Sequence, residues 1–226
     1  MRRKSNYAVV ATTAAVLVCA LVLLSQCSGS SSREMRAGGE QASSANGTET
    51  IVMIRHGEKP AEGLGQLDCK GLNRALALPS VLLKRFGKPD YIYAPDPADQ
   101  LDNHGKLYSY VRPLVTIEPT AIQAGLPVNT QIGFKQIGDL QGALTQPAYA
   151  NATVFVAWEH GYLNDFGRQF LLSYHDDPKV VPDWKGDDYD TIYVFKLTRS
   201  NGKTHLAFKL EQEGLNDKLS DACPAK

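Results

Sequence analysis

The chain has 226 residues, 43% hydrophobic and 21% charged, with 19 Gly and 12 Pro. This is a globular composition, and it excludes a wholly disordered, collagen-like or coiled-coil chain. Lys and Arg together number 24, as do Asp and Glu, so the net charge is zero. Without a basic excess, a nucleic-acid partner held through phosphate charge is not expected.

The first residues do not read as part of the fold. Arg2, Arg3 and Lys4 precede an uncharged apolar run, Ala8 to Leu24, and then a small polar stretch, Ser25 to Ser32. A basic, apolar, small order over residues 1–27 reads as a secretory signal or an uncleaved anchor that would attach the chain to a membrane. Leu24-Ser25-Gln26-Cys27 resembles a lipoprotein cleavage box, in which Cys27 would be lipidated; otherwise Cys27 is incidental. Residues 28–48 are rich in Ser, Gly, Ala and Glu without an apolar period, and are expected to be a flexible linker. The globular domain is expected over 49–226, with a charge of about −3, too weak to name a partner. The chain is therefore expected to be exported, periplasmic or membrane-anchored. Cys69 and Cys223 are the two cysteines outside the leader. In an oxidising compartment such a pair bonds where the geometry allows; the alternative is two separate buried thiols.

Strands and helices alternate along the rest. Thr50 to Ile54 is a short apolar run suited to a strand buried on both faces. Leu72 to Phe86 has helical spacing and stops before Gly87. Tyr91 to Ala94 is a second strand, and Ala94 to Gly105 a Pro/Asp/Asn loop, either a lid or a plain connection. Lys106 to Ala124 reads as helix interrupted near Pro113 and Pro119. Phe134 to Leu144 is helical, and Thr153 to Trp158 is the strongest strand signal. Asn164 to Ser173 is an amphipathic helix with Asn164 or Asp165 able to cap it. Tyr189 to Leu197 and His205 to Glu211 are late strands joined by Ser200-Asn201-Gly202. Two apolar strands, each followed by a helix, predict an α/β fold: a three-layer α/β/α sandwich with a mainly parallel sheet.

The chemistry-bearing residues stand where the two best strands end. Ligands of open α/β sheets bind beyond the carboxyl ends of the strands. The first strand runs into Arg55-His56-Gly57-Glu58-Lys59-Pro60, and the strongest into Glu159-His160-Gly161. Each delivers a His and then a Gly, which tolerates unusual backbone angles and close approach. For Arg55 and His56 to share a pocket the strand must break there.

Ile54-Arg55-His56-Gly57-Glu58 resembles the Arg-His-Gly signature of the histidine phosphatase superfamily, the phosphoglycerate-mutase-like clan. The likeness spans Glu49 to about Leu197 and includes a later helical Arg in Tyr110-Val111-Arg112-Pro113-Leu114-Val115-Thr116, then the strand-terminal His160-Gly161. The resemblance implies a phosphoglycerate-mutase-like fold and a phosphomonoesterase for a small phosphorylated substrate. It makes His56 the nucleophile, with Arg55, Arg112 and His160 binding the phosphoryl group. The residue types fit independently: Arg offers a planar, permanently charged fork for phosphate oxygens, and neutral imidazole is a competent nucleophile near pH 7. With two Arg and a His carrying the charge, no metal and no cofactor is required.

Expelling an alkoxide needs an acid. Residues 122–138 contain no carboxylate, and Glu118 lies about 240° around the helix from Arg112. Glu159 is the acid by proximity, unless it orients a neighbouring donor; Asp165 comes next. Glu58 and Lys59 read as surface charges, and Trp184 as a pocket wall or a core residue. Two rivals differ in class. One is a non-catalytic phosphate-ligand binding or envelope protein; the other is a metallohydrolase using His56 and His160, which the neighbouring Arg55 disfavours. The sequence leaves the oligomeric state open.

Overall fold

The computed structural model describes residues 46–224. The leader, Cys27 and the expected linker up to residue 45 lie outside the described residues. Strand β1 (Gly47–Arg55) begins two residues before the expected boundary at Glu49. The extension exists because strand β7 (Thr191–Ser200) offers it Thr198 and Arg199 as partners.

Six strands form the main sheet in the order β5-β2-β6-β1-β7-β8. β2 (Tyr91–Tyr93), β5 (Val128–Asn129) and β6 (Thr153–Trp158) run parallel to β1. β7 pairs antiparallel with β1, and β8 (Lys203–Gln212) antiparallel with β7. Along β1 the side chains alternate between two cores. Val52 and Ile54 join Leu78, Leu82, Ile117 and Ala121 of helices α1 (Cys69–Phe86) and α2 (Arg112–Ala124). Ile51 and Met53 face Leu140, Leu144, Phe166 and Phe170 of α3 (Ile137–Leu144) and α4 (His160–Ser173). Burying one such side chain contributes about 1.5–3 kcal/mol. A strand covered on both faces has no polar side to show, which is why its sequence is continuously apolar. The result is the expected three-layer α/β/α sandwich with a mainly parallel sheet.

The chain departs from the sequence reading in several places: α1 starts at Cys69 rather than Leu72, α3 at Ile137 rather than Phe134, and β5 is a strand the sequence did not mark. Residues 94–105 are not simply a loop, and the helix does not start at Lys106. Strands β3 (Gln100–Asn103) and β4 (Lys106–Ser109) form a hairpin there. His104 and Gly105 have φ of 54° and 79°, the left-handed pair that a tight two-residue turn requires. Pro113 then opens α2 instead of interrupting it, its fixed φ suiting a first turn, and Pro119 leaves the helix intact. Finally, α4 begins four residues before Asn164. Glu159 caps it, its Oε2 accepting the Tyr162 N–H at 3.0 Å, so neither Asn164 nor Asp165 is the cap.

Cys69 and Cys223 are joined in a disulfide, with Cα atoms 4.5 Å apart. Beside it, Asn73 Nδ2 donates to the carbonyls of Ser220 and Ala222, fastening the tail to α1. Glu58 is not a free surface charge. It grips the fully buried Arg74 at 2.7 and 2.9 Å, and the same guanidinium meets Glu213, Asp190 and Asn216. One cation cannot balance three carboxylates, and enclosure raises Glu213 to about 8. Trp184 is core, packed on Tyr193 with its N–H donating to Asp188 O. No helix among the described residues is long and apolar enough to cross a membrane.

Candidate active site

β1 and β6 end side by side, with Arg55 opposite Trp158. The His56 N–H still donates to Trp158 O at 3.0 Å, but the chain leaves the sheet immediately afterwards. Gly57 sits so close to α1 that a Cβ there would lie 2.9 Å from the Gly71 Cα and carbonyl oxygen. Its N–H donates to Thr116 Oγ1 at 2.9 Å, and the Thr116 hydroxyl donates to Arg112 O at 2.8 Å. One α2 side chain therefore ties the His56 loop to Arg112.

The His56 ring is buried, with Nδ1 2.7 Å from Gly57 O. A carbonyl can only accept, so Nδ1 carries the proton and Nε2 keeps its lone pair. Burial lowers the imidazole to about 3, helped by the cationic Arg112 and Arg55. His56 is thus a neutral base over the ordinary pH range.

Both guanidiniums are buried and fixed from behind. Arg55 Nη1 donates to Gly186 O and Asp188 O, each at 2.8 Å, and its Cζ lies 3.9 Å from the Tyr189 ring centroid. Arg112, in the first turn of α2, donates from Nη1 to Gly63 O at 3.1 Å and lies over the Tyr110 ring at 4.8 Å. The loop that holds it accepts the Val111 and Arg112 N–H groups on Gly65 O. In each Arg the Nε is buried without a partner, as is the Tyr110 hydroxyl. Buried donors without partners are uncommon, and these three belong to residues gathered around His56. An oxyanion would satisfy them.

Glu159 and His160 are half-buried at the start of α4, with Glu159 Oε1 2.5 Å from His160 Nδ1. Burial pushes the Glu159 carboxyl up, but the His160 contact and the Tyr162 N–H outweigh it and hold the group below its usual range. Glu159 also lies within the electrostatic reach of His56 and Arg55. Asp165 and Glu118 are exposed. The structure thus gathers Arg55, His56, Arg112 and Glu159, with His160 entering beside Glu159. Sequence reading missed Tyr110 and Tyr189, whose rings stand 6.1 and 6.3 Å from His56, and the carbonyls holding Arg55. An aromatic residue next to a motif reads as core, so only the pairing Tyr110-x-Arg112 could have drawn attention. Among the described residues no group of three or more His, Cys, Asp or Glu is placed to hold a metal ion.

No family model matches the chain, and no curated protein matches it. Several solved structures resemble it. A protein assigned as the phosphohistidine phosphatase SixA from Nakamurella multipartitia is 18% identical, covering 73% of this chain and 96% of its own, with a TM-score of 0.49. A phosphoserine phosphatase from Entamoeba histolytica is 14% identical over 75% of this chain and 99% of its own, with a TM-score of 0.45. A phosphoglycerate mutase from Bacillus anthracis is 11% identical over 75% of this chain and 94% of its own, with a TM-score of 0.41. These are histidine phosphatase superfamily proteins, the group that the Arg55-His56-Gly57 motif resembles. What the site can do is read from its own geometry.

Proposed function

We propose that the chain is an exported, metal-independent phosphomonoesterase acting on small phosphorylated substrates through a phosphohistidine on His56. The observation that carries this is the neutral His56, its Nε2 free, set among buried donors of Arg55, Arg112 and Tyr110 that lack partners. Nε2 attacks phosphorus as the ester P–O bond breaks, while Arg55, Arg112 and His160 bind the phosphoryl oxygens. Nδ1 keeps its proton and donates it in a hydrogen bond to Gly57 O, whose dipole stabilises the positive charge of the phosphorylated ring. Glu159 gives the leaving oxygen its proton, so an alcohol departs. Water then attacks the phosphohistidine, returning a proton to Glu159 and releasing inorganic phosphate. The Glu159 carboxylate is ionised in the resting site, but an incoming phosphate dianion adds like charge beside it and raises its proton affinity. The basic-apolar start and the Cys69–Cys223 bond support export to an oxidising compartment.

The held-down carboxyl of Glu159 also favours a second reading, a phosphate-ligand binding protein without turnover on the same fold. The full chain, assayed against a phosphomonoester panel with and without chelator, separates the readings. The expected result is chelator-resistant phosphate release, abolished in His56→Ala, with a trapped phosphoenzyme that is stable to base and lost in acid. Phosphate binding without release in the wild type would leave the second reading standing, and wild-type turnover in His56→Ala would remove the mechanism.

A further inference from the structure

Tyr110 is fully buried immediately before α2, and the reaction outlined above assigns it no step. Its ring stands edge-on to His56, 6.1 Å between centroids with the planes at 89°. The Arg112 guanidinium lies over one face at 4.8 Å, and Phe134 packs on the ring at 4.9 Å. The Arg112 side chain comes within hydrogen-bonding reach of the hydroxyl but can only donate to it, and the charges on Glu159 and Arg55 are also near, so the phenol's own O–H is left without an acceptor. A buried hydroxyl left unpaired costs about 1–3 kcal/mol, and a Phe would fill the same space without that cost. The backbone around it is fixed: the Tyr110 N–H donates to Asp99 O at 2.9 Å, and the next N–H to Gly65 O at 3.0 Å. A rigidly held donor without a partner, placed between the nucleophile and a phosphate-binding Arg, is arranged for a partner that arrives with the substrate.

We infer that the Tyr110 hydroxyl donates a hydrogen bond to a non-bridging phosphoryl oxygen, adding a neutral donor to the cationic clamp of Arg55, Arg112 and His160. This rests on the reading of the site as a phosphoryl-transfer centre. Burial keeps the phenol protonated, so it is a donor at every pH where the enzyme would work. A neutral donor holds the oxygen without adding to the field of the two guanidiniums, which already opposes any positive charge on the His56 ring.

Tyr110→Phe in the full chain tests it, because the change deletes only the oxygen. The expected result is a loss of about 10- to 100-fold in kcat/KM, equal for an alkyl and an aryl phosphate. The affinity for inorganic phosphate, read by calorimetry or by the shift in melting temperature that phosphate produces, should weaken about tenfold. The melting temperature without phosphate should stay the same or rise, since an unpaired buried hydroxyl is gone. Unchanged phosphate affinity overturns the inference, whatever happens to stability. A loss confined to alkyl phosphates also overturns it, because that pattern marks a leaving-group acid instead. The phosphate arm does not depend on turnover, so its outcome is distinct from a failure of the His56 mechanism, which the His56→Ala assay reads.

Discussion

At the scale of single residues the division of labour turns on protonation. His56 is kept neutral by burial and by two neighbouring cations, whereas Glu159 is kept ionised by His160 and the α4 backbone. The second fact makes Glu159 the residue most in need of a test. Glu159→Gln preserves shape and can still accept the Tyr162 N–H, but it has no proton to give. If Glu159 protonates the leaving group, turnover of alkyl phosphates should fall by about 10²–10⁴. Turnover of an aryl phosphate should fall far less, because a phenolate leaves unaided. Steady-state rates on the two substrate types decide it, and equal losses would assign Glu159 to holding His160 in place. The legibility of these residues differed for physical reasons. His56 and His160 could be found because each follows an apolar strand and precedes Gly. Arg112 could be found only through its motif, since by itself it is a helix charge. Tyr110 could not, because nothing in the sequence tells a phenol facing a site from one facing the core.

Among the elements, α2 does more than cover the sheet. Thr116, one turn after Arg112, accepts a hydrogen bond from the Gly57 N–H and donates one from its hydroxyl to Arg112 O. Thr116→Val keeps the shape and removes both bonds, leaving the Gly57 N–H buried without a partner. The expected outcome is a loss of about 1–3 kcal/mol in stability by chemical denaturation. A fall of about tenfold in turnover should accompany it, because the His56 loop and Arg112 lose their shared tie. Unchanged stability and turnover would show that the loop is held by its packing on Gly71 alone. Elements with a strong period, β1, β6 and the body of α1, were readable because both cores impose it. The β3–β4 hairpin was not: its strands are four residues each and none of their residues is fully buried, so no apolar core face marks them. Capping by Glu159 was missed because a residue with an expected catalytic role also carries the structural one.

For the whole molecule, the paired cysteines could be foreseen from their number, but the Arg74 cluster could not. Its members are spread from Glu58 to Asn216, and only the fold brings them together. Buried carboxyls of this kind leave a signature in the response to pH. Glu49, enclosed beside Arg199, is raised by burial from 4.5 to about 7 despite that contact. Between those values the folded chain holds a proton that the unfolded chain has released. This contribution is fully present below pH 4.5 and is lost as pH rises to about 7. His56 works in the opposite sense, since its lowered value makes stability rise from about pH 3 to 6.5. Glu49→Gln copies the protonated form and isolates the first term. Relative to the wild type, the variant should gain stability steadily from pH 4.5 to 7 and by a constant amount above that. Urea midpoints across this range measure it, and parallel curves for the two chains would show that Glu49 is ionised throughout.

The strand order also sets a timetable. β1 lies in the middle of the sheet, yet it is the first strand to be made. Its neighbours on either side, Thr153–Trp158 and Thr191–Ser200, emerge about a hundred residues or more later. Until then Ile51 to Ile54 have neither edge paired and lack α4 on their second face. Contacts of such separation form slowly, because the intervening chain must close a long loop first. The strand that leads into His56 is therefore synthesised early and seated late. A chain halted before Thr191 would leave the β7-facing edge of β1 unpaired, an apolar strand with open N–H and C=O groups.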